Sequence, residues 1–188
     1  MKLIPTGSQT VGPYLHVGLT WLTTTDVASR AKEGQRITLR GQLTDADGAP
    51  IPDAIVEIWQ ANAQGKYAHP EDKQDKPVDG NFTGWGRTPT DKDGMYEFTT
   101  IKPGRVPGPG NTLQAPHIAV TIFMRGQLKH LFTRVYFADE AVNSEDPILH
   151  LIEDAARRNT LLAKKEGDGR YRWDVSLQGK NETVFFDC

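Results

Sequence analysis

Hydrophobic and polar positions begin to alternate with a period of two at residue 36. Ile37, Leu39, Gly41 and Leu43 fall on one side, and Arg36, Thr38, Arg40 and Gln42 on the other, the spacing of a strand with one buried face and one wet face. Asp45-Ala-Asp-Gly48 follows as turn chemistry, because Asp side chains bond their own backbone and Gly accepts positive φ. The run 54–59 is the next strand, and a second turn, Asp91-Lys-Asp-Gly94, leads into another over 95–100. Apolar runs over 118–124 and 130–137, on either side of Arg125-Gly126, predict a strand pair, and 172–177 and 183–186 predict two closing strands. About seven or more short strands separated by turns predict an all-β chain folded as a β-sandwich.

Two stretches break this pattern. Ile148, Leu151, Ile152 and Ala155 recur at helical spacing behind the helix-starting pair Asp146-Pro147, which predicts one or two short helices near 147–165. Residues 1–35 carry Pro5, Gly7, Gly12, Pro13 and Gly18 with no sustained period. Yet Tyr14, Leu15, Val17, Leu19 and Trp21 lie in that segment and are costly to leave in water. Two readings stand: a frayed terminus, or an arm over 1–35 ordered against a partner chain, with 36–188 as the sandwich domain. Residues 60–90 and 102–116 are long connections, of the kind that carry function or stay disordered.

Composition narrows the class. Leu, Ile, Val and Phe supply 42 of 188 residues, just above the level at which a chain fails to fold, so the apolar stock is thin. With 22 basic and 24 acidic residues the net charge is −2, which excludes the basic face of a nucleic-acid binder. One cysteine, Cys188, makes no internal disulfide. The first residues lack the apolar core of a signal peptide, and no run approaches the roughly 18 apolar residues of a membrane span. The expectation is a soluble cytoplasmic protein that binds neither nucleic acid nor membrane.

Chemistry is sparse. His16, His69, His117, His130 and His150 form no short-spaced ligand pair, and His117, after Ala115-Pro116, reads first as a hydrogen-bonded core histidine. The five tyrosines are dispersed and read as half-buried residues with satisfied hydroxyls. There is no GxSxG, and Cys188 lacks a basic neighbour. The Gly-rich stretch 104–110 holds too many prolines to cradle phosphate, and the two Asp turns lack the distal Glu of a calcium loop. Arg125 and Arg134 remain, since a guanidinium suits a carboxylate. Their plainer readings are an exposed turn residue and an ion pair. The residues by themselves give no self-sufficient catalytic centre.

Longer blocks carry more. Ser8-Gln-Thr-Val-Gly-Pro-Tyr14, Ile58-Trp-Gln-Ala61 with Gly65-Lys-Tyr67, Asn81-Phe-Thr-Gly-Trp-Gly-Arg-Thr88, Thr100-Ile-Lys-Pro-Gly104, Ala115-Pro-His-Ile118, Thr133-Arg-Val-Tyr-Phe137 and Glu182-Thr-Val-Phe-Phe-Asp187 together resemble the intradiol ring-cleaving dioxygenases, over essentially the whole chain. The closing Thr-Val-Phe-Phe-Asp and the Phe-Met-Arg-Gly turn resemble the α chain of the two-chain members, whose α and β chains share one β-sandwich fold. The length is short for members with an added N-terminal helical domain.

The resemblance implies O2-dependent cleavage of a small aromatic diol between its hydroxyls, at a non-haem Fe(III) held by two tyrosines and two histidines, with an arginine assisting. Matched to this chain, the tyrosine positions fall at Gln74 and Val106, the histidines at His117 and Ala119, and the arginine at Gln114. One ligand in four is retained. The implied assignment is therefore no metal and no catalytic residue here, with Fe(III) on an obligate β partner. The implied substrate contacts are Thr10, Gly12, Pro13 and Tyr14 in the arm and Arg125 on the substrate carboxylate, where Met124 replaces an Ala of the family. Two alternatives stand beside this. One is a non-catalytic sandwich binding module, which has no use for the arm and Arg125. The other is a β-like single-chain dioxygenase, which Gln74, Val106 and Ala119 disfavour.

Overall fold

Less and more accessible residues alternate without a break along β1 (Arg36–Thr44). Ile37, Leu39 and Leu43 enter the core, while Arg40 pairs outside with Glu166 at 2.9 Å. The computed structural model describes Gly12 and residues 14–187, and the strands form the two faces of a sandwich. In one sheet, β2 (Ala54–Trp59) lies between β3 (Trp85–Pro89) and β7 (His117–Met124), and β7 pairs with β8 (Leu131–Phe137), all antiparallel. In the other, β1 pairs antiparallel with β4 (Met95–Ile101) and parallel with β10 (Arg170–Arg172) and then β11 (Val175–Ser176). β9 (Leu162–Gly167) joins the sheets, antiparallel to β10 and parallel to β8. A separate ribbon pairs β5 (Val106–Pro107) with β6 (Leu113–Gln114).

The opposite edge is closed by residues 24–28. Thr24 bridges to Arg87 of β3, and Asp26 to Thr99 of β4; Val27 and Ala28 are buried in the core. Gly86 makes this approach feasible, because a Cβ there would come 2.8 Å from the Thr24 carbonyl oxygen. Before this edge lies a short helix, α1 (Tyr14–Gly18), with Leu15 buried and Val17 exposed. The core between the sheets is apolar and aromatic: Ile37, Leu39, Phe98, Ile118, Val135 and Phe137 are almost wholly removed from water. No helix among the described residues is long and apolar enough to cross a membrane.

The all-β expectation stands, with local corrections. Short helices do occur between 147 and 165, a 3-10 turn at Leu149–Leu151 and α2 (Ala155–Asn159). The expected apolar helical face does not form: Leu151 is 75% exposed while Leu149 is buried. Asp154 caps α2 by accepting from the Ala156 N–H at 2.8 Å, whereas Asp146 is buried and accepts from the backbone N–H groups of Ile148 and Leu149. The region 172–177 divides into β10 and β11 at Trp173 and Asp174, and 183–186 contributes one bridge, Phe132 to Phe186. Strands β3, β5, β6 and β9 occupy stretches whose sequence reads as loop or helix.

Candidate functional site

Strand register assembles a site on the outer face of the first sheet. Trp59 of β2 pairs with Ala119 of β7, and Ala119 with Arg134 of β8. These three residues form a row, Trp59 and Arg134 standing roughly 10 Å apart across two strand spacings with only a methyl group between them. His117 lies two residues along β7 on the same face. A cleft of ≈ 660 Å³ opens here, lined among others by Trp59, Tyr67, Gln74, Val106, Gln114, His117 and Arg134.

The connection between β2 and β3 builds one wall. Asn62 Oδ1 accepts from the backbone N–H groups of Gln64 and Lys66, and Asp72 accepts from those of Tyr67 at 2.8 Å and Gln74 at 3.0 Å. Partial burial opposes ionisation of Asp72, but these hydrogen bonds hold its carboxyl below the usual range. The Tyr67 ring thereby stacks on Trp59, centroids 5.6 Å apart and planes 21° apart; His69 meets Trp59 edge-on. Burial pushes the Tyr67 phenol up, with the Arg134 charge pulling the other way. The Gln74 amide donates to Gly65 O and to Asp72, so its N–H groups serve its own loop.

The ribbon and the segment after β8 build the other wall. Gln114 donates to Pro107 O at 2.8 Å and accepts from Arg134 Nη1 at 2.6 Å. Asp146, wholly buried, accepts from the Ala115 backbone N–H at 2.7 Å and from the Tyr136 hydroxyl at 3.3 Å, besides its two helix-start contacts. Burial and then the Asp146 charge push the Tyr136 phenol well up. His117 is 5% exposed and its Nδ1 lies 2.8 Å from the Ala115 carbonyl oxygen. A carbonyl only accepts, so Nδ1 carries the hydrogen and Nε2 is left as an acceptor. Burial, reinforced by Arg134, lowers the His117 pKa to about 4, which keeps the ring neutral at pH 7.

Four of the five positions matched to the family's iron site, Gln74, Val106, Gln114 and His117, thus line one cleft, and Ala119 sits in its central row. The donor set does not suit Fe(III): an amide committed to its loop, an isopropyl group, a second amide, a methyl group and one imidazole. Among the described residues no group of three or more His, Cys, Asp or Glu is arranged to hold a metal.

Of the candidate substrate contacts, Arg125 lies away from this cleft. Thr10 and Pro13 fall outside the described residues. Gly12 has φ +62 and open space around it, and Tyr14 begins α1. Arg125 follows β7 on a turn, 68% exposed and ion-paired with Asp53, roughly 25 Å along the strand from His117. It does not reach the cleft. Neither the stacked Trp59–Tyr67 wall nor the face that Arg134 takes has a signal in the sequence, because both depend on strand register.

A family model described as Dioxygenase matches residues 13–179. The protocatechuate 3,4-dioxygenase alpha chain of Pseudomonas putida is 42% identical over 204 aligned residues, spanning 100% of this chain and 98% of that relative. The chain belongs to the intradiol dioxygenase family. Among its members, the protocatechuate 3,4-dioxygenase alpha chain of Burkholderia cepacia is 43% identical, with 97% and 96% covered. The beta chain from the same organism is 36% identical, with 94% and 77% covered. The solved intradiol ring-cleavage dioxygenase of Tetranychus urticae superposes with a TM-score of 0.62 at 19% identity, covering 85% of this chain and 90% of that one; it shares the fold. Intradiol dioxygenases depend on non-haem iron, and the cleft of this member lacks the donors for it.

Proposed function

We propose that this chain is the iron-free α-type subunit of a cytoplasmic two-chain protocatechuate 3,4-dioxygenase, working in an obligate complex with a β chain that holds Fe(III). The carrying observation is the cleft itself, where the family's ligand positions converge and three of the four have lost their donor. The full-length likeness to alpha chains at 42% and 43%, against 36% for a beta chain, supports the same reading. The reaction breaks the bond between the two hydroxyl-bearing carbons of 3,4-dihydroxybenzoate, adds one atom of O2 to each of them, and yields 3-carboxy-cis,cis-muconate.

This chain's share is positioning. The segment ahead of the edge bridges at Thr24 and Asp26 is an arm on the partner, shorter than the 1–35 expected from sequence, and Thr10, Gly12, Pro13 and Tyr14 meet the substrate there. Val17 at 81% and Trp21 at 75% exposure give that segment an apolar surface, of the kind that an interface covers. Arg125, already carrying one carboxylate from Asp53, exchanges it for the substrate's. Such anchoring matters because a misplacement of about 1 Å can cost on the order of 100-fold in rate.

The test is O2 uptake with 3,4-dihydroxybenzoate by the chain alone and co-purified with a β chain. The expected outcome is a colourless, inactive chain alone and an active, coloured pair. Turnover by the chain alone with stoichiometric iron overturns the assignment. A chain that fails to co-purify with β, and leaves β activity unchanged, favours the binding-module reading instead.

A further inference from the structure

Arg134 has no carboxylate within ion-pair reach among the described residues, although it is half-buried. The nearby carboxylates are committed elsewhere: Asp146 to three backbone N–H groups, and Asp72 to those of Tyr67 and Gln74. Glu71, which also lines the cleft, lies beyond ion-pair reach of Arg134. Of the five N–H groups that arginine carries, one goes to Gln114, and the guanidinium lies 5.9 Å from the centroid of the Phe186 ring. A half-buried cation without a counter-charge favours an incoming anion, and its planar fork matches a carboxylate.

The rest of the row sets the shape of that anion. On the far side of Ala119 stands the stacked Trp59–Tyr67 pair, an aromatic wall partly open to the cleft. Between wall and guanidinium the floor is a methyl group, half-exposed in mid-sheet where its neighbours along β7, Ile118 and Val120, are buried. That gap admits a flat ring, and the cleft volume lies in the range of small-molecule sites. A bare inorganic anion answers Arg134 but leaves the aromatic wall in water. We propose that this cleft is a metal-independent binding site for a planar aromatic carboxylate, with the carboxylate on Arg134 and the ring over Ala119 against Trp59 and Tyr67. The site lies within this chain and needs neither iron nor a partner.

Calorimetric titration of the full-length iron-free chain with 4-hydroxybenzoate tests it, since that probe is bound without turnover. One site per chain is expected, weakened at least about tenfold in Arg134→Gln and in Ala119→Leu, which fills the gap and keeps the charge. Inorganic phosphate should bind at least about tenfold more weakly than the aromatic acid. Absence of saturable binding, an unchanged affinity in Ala119→Leu, or phosphate equal to 4-hydroxybenzoate overturns the proposal. Should Arg134→Gln fail to fold, Ala119→Leu and the phosphate comparison decide. None of these readouts involves O2 or iron, so the result is separate from that of the subunit assignment.

Discussion

The two ends of the β7–β8 hairpin each present an arginine, and the contrast between them explains most of what this chain can do. At one end Arg134 stands in a concave site, half-buried, held by Gln114 and walled by Trp59, Tyr67 and His117. At the other, Arg125 sits on a convex turn, 68% exposed and ion-paired with Asp53. The first end encloses a ligand with residues of this chain alone. The second, in the proposed two-chain enzyme, completes a surface that the partner supplies. The residue type is the same, so curvature and the surrounding partners decide the role.

The contrast breaks most sharply at Asp146, which ties the cleft wall together. Asp146→Ala strands three backbone donors, buried at Ala115 and Leu149 and partly buried at Ile148, and should cost about 4 kcal/mol in urea unfolding. A loss below about 1 kcal/mol would mean the wall stands without it.

Next in size is the pH response of the cleft end. The folded-state pKa of His117 is depressed to about 4 from 6.5, so the unfolded chain binds the extra proton between these values. Stability from this group is therefore complete above pH 6.5 and is lost as pH falls toward 4, by about 3 kcal/mol in all. His117→Gln should flatten that part of the stability-against-pH curve; an equally steep curve in the variant would assign it to other groups.

The smallest stability effect belongs to the turn end. Arg125→Ala removes one exposed ion pair and should change folding stability by less than about 0.5 kcal/mol. In the complex with β it should raise KM for 3,4-dihydroxybenzoate about tenfold, with iron content unchanged. An unchanged KM would leave Arg125 as a turn residue only.

How much of this was legible beforehand depends on the element. β1 was plain, because Ile37, Leu39 and Leu43 alternate with polar residues and the structure buries just those. β3 was hidden, because Gly84 and Gly86 read as turn; Gly86 is small so that Thr24 can close against it, a contact 62 residues away in sequence. β9 was hidden too, since its one buried side chain is Ala163 and Lys164-Lys165-Glu166 read as a polar run. The lost iron positions were readable only through family likeness, and their convergence needed the fold. The Arg134 site was the least legible. A one-residue slip in the pairing of β7 with β8 turns Arg134 to the opposite face, and the absence of a counter-charge among the described residues is a fact of three dimensions.

The most direct test of the central claim is the iron content of the co-purified pair, measured by atomic absorption against chain concentrations from amino-acid analysis. One iron per pair is predicted, with none retained by this chain after separation under native conditions. Two irons per pair, or iron that stays with this chain, would contradict the account.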